Sequence, residues 1–87
     1  MKSFRELVVW QKAMVLVKEV YVVTNQFPKV EQLGLISQVR RAAVLVPSNI
    51  SEGFGRKSTK EFIWFLSVAR GSLCELQTQL EIATTLE

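Results

Sequence analysis

From Phe4 to Gln26 the polar residues fall in two rows spaced by seven: Arg5, Lys12, Glu19 and Gln26, and beside them Gln11, Lys18 and Asn25. The other positions are mostly apolar and form two stripes. One runs Leu7, Trp10, Met14, Val17, Tyr21, the other Val9, Ala13, Leu16, Val20, Val23, and both step by three and four. That period predicts a helix. The valine-rich stretch from Val20 to Val23 has strand character by composition, but the periodic run is longer than an ordinary strand. An apolar arc covering about five of seven heptad positions exceeds the single face that a surface helix buries. The pattern therefore predicts a helix that is either central or turned toward another subunit, with Val9, Ala13, Leu16, Val20 and Val23 as the candidate oligomer interface.

Phe27-Pro28 ends this helix, because proline restricts the residue before it and donates no backbone hydrogen bond. A second helix is predicted from Val30 or Glu31 to near Gly53, with Leu35, Ile36, Val39, Ala42, Ala43, Val46 and Ile50 on its apolar face. Pro47 falls inside it and is expected to kink it or open one turn. Gly53 and Gly55 supply positions for left-handed backbone at its end. Ser58-Thr59-Lys60-Glu61 reads as a capping box that starts a third helix, from Thr59 to about Thr85. Its predicted seam is Phe62, Leu66, Ala69, Leu73, Leu76, Leu80 and Ala83, alternating steps of four and three as in antiparallel bundles. Gly71 and Ser72 would let another helix approach closely. The reading is an all-α, antiparallel up-down helical bundle in one domain over residues 1–87.

Composition narrows what such a bundle can do. A chain of 87 residues buries only about 60% of its unfolded surface, so its core needs support. One cysteine, Cys74, excludes an internal disulfide, and the absence of histidine excludes the usual zinc staples. Unusually good helix packing or self-association is the remaining support. With no His and no Asp, Ser-His-Asp and Cys-His sites and Asp-rich magnesium sites are also excluded. No catalytic site, metal site, cofactor or small-molecule substrate is expected. The amphipathic pattern begins directly after Met1-Lys2-Ser3, without a signal peptide, and no apolar run can span a membrane. A lone cysteine fits a reducing cytoplasm.

The net charge is only +3, but the basic residues are unevenly spread. Arg40, Arg41, Arg56, Lys57, Lys60 and Arg70 lie in a stretch whose only acids are Glu52 and Glu61. Such a stretch is a candidate phosphate-binding surface, or else a solvated face with internal Arg–Glu pairs. The segment containing Pro47, Asn49, Glu52, Gly53, Gly55 and Arg56 is the most distinctive. Its GFGRKS run lacks Walker spacing and follows no strand, so a structural turn is the better reading. Asn49 would bond backbone freed by Pro47, and Glu52 would pair with an arginine. Trp10, Phe62, Trp64 and Phe65 offer a base-stacking platform, though at helical spacing they suit a core or interface. Cys74 reads as a small buried hydrophobe.

These segments resemble one family over essentially the whole chain: FRELVVWQKA, TNQFPKVEQLGLISQVRRAA, VPSNISEGFGRKSTKEF and FLSVARGSLCELQTQLEIA. The V-W-Q start, the F-P turn, Q-x-R-R-A-A and P-x-N-I-x-E-G-x-G-R are similar to the small four-helix-bundle proteins encoded in 23S rRNA intervening sequences. The resemblance implies a left-handed antiparallel four-helix bundle and a ring-like homopentamer, with a fourth helix beyond the position of Glu87. It also implies kinship in architecture with the basic, nucleic-acid-binding accessory protein of diversity-generating retroelements. By that similarity the expected function is a non-enzymatic oligomer that binds RNA or a nucleoprotein partner. Arg40, Arg41, Arg56 and Lys57 are the matching positions for such contacts. The alternative is a purely structural protein–protein module that binds no nucleic acid.

Overall fold

The computed structural model describes residues 2–28 and 34–86, and every regular element among them is helical. After a 3₁₀ turn over Phe4–Glu6, the chain forms α1 (Val8–Thr24), α2 (Leu35–Phe54) and α3 (Thr59–Leu86). At 1.5 Å per residue α3 is about 42 Å long, which accounts for the 44 Å long axis. No helix among the described residues is long and apolar enough to cross a membrane.

The first periodic run is not one helix. Ser3 accepts a hydrogen bond from the Arg5 amide at 3.1 Å and caps the 3₁₀ turn, and Leu7 is extended before α1 begins. α1 ends before Phe27-Pro28 as expected. The predicted start of the second helix at Val30 or Glu31 lies outside the described residues, and the described part begins at Leu35. Pro47 leaves α2 unbroken; it is buried and its missing N–H leaves one helix carbonyl without its usual donor. Asn49 does not serve that carbonyl. Its Nδ2 donates instead to the Leu45 carbonyl at 2.8 Å, one turn back along its own helix. The third helix starts where its capping box lies, with the Glu61 amide donating to Ser58 Oγ at 3.1 Å.

Glycine does different work from that expected. Neither Gly53 nor Gly55 has positive φ, and Gly53 lies inside α2. A Cβ at Gly53 would stand 2.6 Å from the Phe65 Cβ and 3.0 Å from the Phe62 ring, so this glycine lets α3 cross close over α2. Gly71, by contrast, has nothing within 4 Å.

The helices alternate in direction around α2. One core cluster joins Val20, Val39, Ala42, Ala43 and Leu76, and the other joins Ala13, Val46, Ile50 and Ala69. Higher numbers on α1 therefore meet lower numbers on α2, and the same holds between α3 and α2. Both outer helices pack on α2, and among the described residues no backbone contact joins α1 to α3. Leu16, Glu19, Val20 and Val23 of α1 and Leu80 of α3 line a groove between the two outer helices.

This arrangement corrects two sequence expectations. In the candidate interface stripe, Ala13 and Val20 are 5% and 4% exposed and belong to the chain's own core, whereas Val9 and Val23 are exposed. Another row, Val8, Val15 and Val22, also faces solvent. On α3 the buried row is Ala69, Ser72, Leu76, Gln79 and Ala83, while Leu73 of the predicted seam is 42% exposed. Ala69, Leu76 and Ala83 belong to both rows. The burial extends to Ser72 and Gln79 on one side of them, while on the other Leu66 and Leu80 pack half-buried against the two clusters and Leu73 alone of the seam leucines stays exposed.

Candidate nucleic-acid interface

The six basic candidates divide by what holds them. Arg40 is half-buried and tied to α1: its Nε donates to Thr24 Oγ1 at 2.9 Å, its Nη2 donates to Asn25 Oδ1 at 2.9 Å, and its guanidinium stacks 4.7 Å from the Tyr21 ring. Thr24 is 0% exposed, and its hydroxyl donates in turn to the Val20 carbonyl at 2.8 Å. A cation at the end of α1 also meets the negative end of that helix dipole. Arg40 therefore braces α1 against α2, and it also lines a surface pocket beside Arg41. Sequence reasoning missed Thr24 and Asn25 as its partners. The only local signal was a polar pair just before the Phe27-Pro28 stop.

Arg56 is half committed. Its Nη2 donates to Glu52 Oε1 at 3.0 Å, the pairing expected for Glu52, and its guanidinium lies 4.8 Å from the Phe65 ring. Arg41, Lys57, Lys60 and Arg70 are exposed, and none of them meets a carboxylate among the described residues. They do not form a single cluster. Lys57 and Lys60 sit with Arg56 at the α2–α3 turn, whereas Arg41 lies about 20 Å back along α2 and Arg70 about 15 Å along α3.

The fold adds residues to the turn that the sequence kept apart from it. The 3₁₀ turn packs on α2, where Phe4 lines a surface pocket with Pro47, Ser48 and Ser51. Lys2 and Arg5 thereby join Arg56, Lys57 and Lys60 at one end of the bundle. Arg5 stacks 4.6 Å from the Phe4 ring, as Arg56 does on Phe65. Phe4 and Phe65 line one open recess with Leu45, Ser48, Asn49 and Glu52. The distinctive segment is thus both a packing joint, at Gly53, and the floor of a surface recess.

The aromatic residues are not a continuous platform. Trp10, Phe62 and Phe65 are half-buried, and Trp64 is 61% exposed beside exposed Ile63, outside the core. Cys74 is also exposed, which corrects its reading as a buried hydrophobe. Among the described residues no group of acidic or thiol side chains could hold a metal ion.

A family model described as 23S rRNA-intervening sequence protein matches residues 5–87. No curated protein matches the chain.

Proposed function

The chain belongs to the family of 23S rRNA-intervening sequence proteins, and on that premise we propose that it is a non-enzymatic, self-associating helical bundle of the reducing cytoplasm that binds RNA or a nucleoprotein partner through its basic side chains. The observation that carries this reading is the division of those side chains. Arg41, Lys57, Lys60 and Arg70 are exposed and unneutralised by any carboxylate among the described residues, and Lys2 and Arg5 are folded against the same end as Lys57 and Lys60. Cations in that state gain most from displacing counterions on a phosphate backbone. Self-association is supported by the exposed valines on α1 and by Ile63 and Trp64 on α3, apolar surface that a small monomer rarely leaves uncovered. The oligomer is the pentamer that the family resemblance implies.

The test is an electrophoretic shift with structured RNA across a salt series. Binding is expected to weaken steeply with salt and to fall when Lys57, Lys60 and Arg41 are replaced together by Ala. No binding at low ionic strength would reject the reading. A second reading, a structural module without nucleic-acid contacts, draws on Arg40 and Arg56, which serve the fold through Thr24, Asn25, Glu52 and Phe65. It expects no RNA binding at low salt, and loss of self-association when the exposed apolar residues are altered.

A further inference from the structure

We propose that the recess on the solvent face of α2, between Phe4 and Phe65, receives the amino edge of an unstacked nucleobase, guanine foremost; this rests on the reading that the chain binds RNA. The topology makes the recess. α1 and its preceding 3₁₀ turn lie on one side of α2 and α3 on the other, so Phe4 and Phe65 stand as its walls. Between them α2 presents Leu45, Ser48 and Glu52, with Ser51 toward Phe4 and Asn49 toward Phe65.

The floor is rich in acceptors, because both serine hydroxyl hydrogens and one of the two Asn49 amide hydrogens are spent on the helix. Ser48 Oγ donates to the Val44 carbonyl at 2.8 Å, and Ser51 Oγ donates to the Ser48 carbonyl at 3.0 Å. A hydroxyl has one hydrogen, so what remains outward on each serine is lone pairs. Asn49 turns its amide nitrogen to the Leu45 carbonyl, which turns Oδ1 away from it. Glu52 gives one oxygen to Arg56 and keeps the other. The free acceptors on the serines and on Glu52 therefore favour a ligand that brings N–H donors.

Charge then separates the ligands that qualify. An acceptor floor with a carboxylate repels a bare phosphate. A basic peptide brings donors but meets Arg5 and Arg56, which stack on the two walls, with Lys57 and Lys60 at the same end of the bundle. Single-stranded RNA satisfies both, with its phosphates on those cations and a base edge on the floor, and aromatic and guanidinium planes are the surfaces on which unstacked bases rest. Guanine offers adjacent N1–H and N2–H₂ donors, enough for the free Glu52 oxygen and a serine lone pair together, whereas uracil offers a single N–H.

The test is fluorescence anisotropy of the full chain with single-stranded uridine hexamers carrying guanosine, inosine or an abasic site at one central position. The guanosine hexamer is expected to bind at least fivefold more tightly than the abasic one, with inosine between them. Glu52→Gln and Ser48→Ala, both exposed substitutions checked for folding by circular dichroism, are each expected to lose that preference. Replacing Lys57 and Lys60 with Ala is expected to weaken all three hexamers together. Equal binding of the three hexamers by the unaltered protein would overturn the base site and leave backbone binding standing. Failure to bind any of them, or structured RNA, at low salt would remove the RNA reading itself.

Discussion

Gly53 lies where a single added methyl carbon would meet the Phe65 Cβ at 2.6 Å. Glycine inside a helix ordinarily costs about 1 kcal/mol relative to alanine, so its presence in α2 has to be explained by what crosses it. The close contact with α3 is that explanation. Gly53→Ala is expected to destabilise the protein by about 1–3 kcal/mol, the range for overpacking. Gly71→Ala is expected to stabilise it by up to about 1 kcal/mol, because nothing lies within 4 Å of that position. Urea unfolding of both variants checks the pair; a stabilised Gly53→Ala would contradict the tight α2–α3 crossing.

Arg40 and Arg41 are adjacent in sequence and opposite in role. Arg40→Ala removes two hydrogen bonds and the Tyr21 stack, and is expected to cost about 1–3 kcal/mol because Thr24 and Asn25 lose a charged donor. Arg40→Lys should restore little, since an ammonium cannot bridge both acceptors while stacking on the ring. Arg41→Ala is expected to leave stability within about 0.5 kcal/mol and to weaken RNA binding. Thermal unfolding and the gel shift, measured on the same variants, separate the two roles.

Gln79 is 7% exposed, and its Oε1 has no hydrogen-bond partner among the described residues, while its Nε2 donates to Glu75 at 3.1 Å. A buried acceptor left unpaired costs about 1–3 kcal/mol. Gln79→Leu is therefore expected to raise the urea midpoint without changing the slope. A lower midpoint would mean that the amide oxygen is paired in solution.

The Arg56–Glu52 pair joins side chains that are 43% and 56% exposed, so solvent screening holds its contribution to no more than about 1 kcal/mol. Arg56→Ala is expected to lower the melting temperature by only a few degrees. A large drop would assign the fold a dependence on this turn that the geometry does not support.

If RNA binds through Lys57, Lys60 and Arg41, the logarithm of affinity for a single strand should fall with log salt by about 0.7 per phosphate contacted. Replacing those three residues with Ala should flatten that slope by about two units on the same rule. An unchanged slope would move the phosphate contacts elsewhere on the chain.

The sequence by itself determined the helices, because their signals are local. The three-and-four spacing from Val8 to Thr24, the Phe27-Pro28 stop and the Ser58–Glu61 cap each act within a turn or two of backbone. Its motifs likewise sufficed to point to the family. What it could not determine was which side of each periodic row meets a neighbour. Around Ala69, Leu76 and Ala83 the spacing could not show that burial extends to Ser72 and Gln79 while Leu73 of the predicted seam stays exposed. The same reason hid the roles of the arginines. Arg40 finds Thr24 fifteen and more residues away, and Phe4 lines a pocket with the serines of α2 only because the 3₁₀ turn folds back onto it. Only the packing of the outer helices on α2 decided which surface remains for a partner.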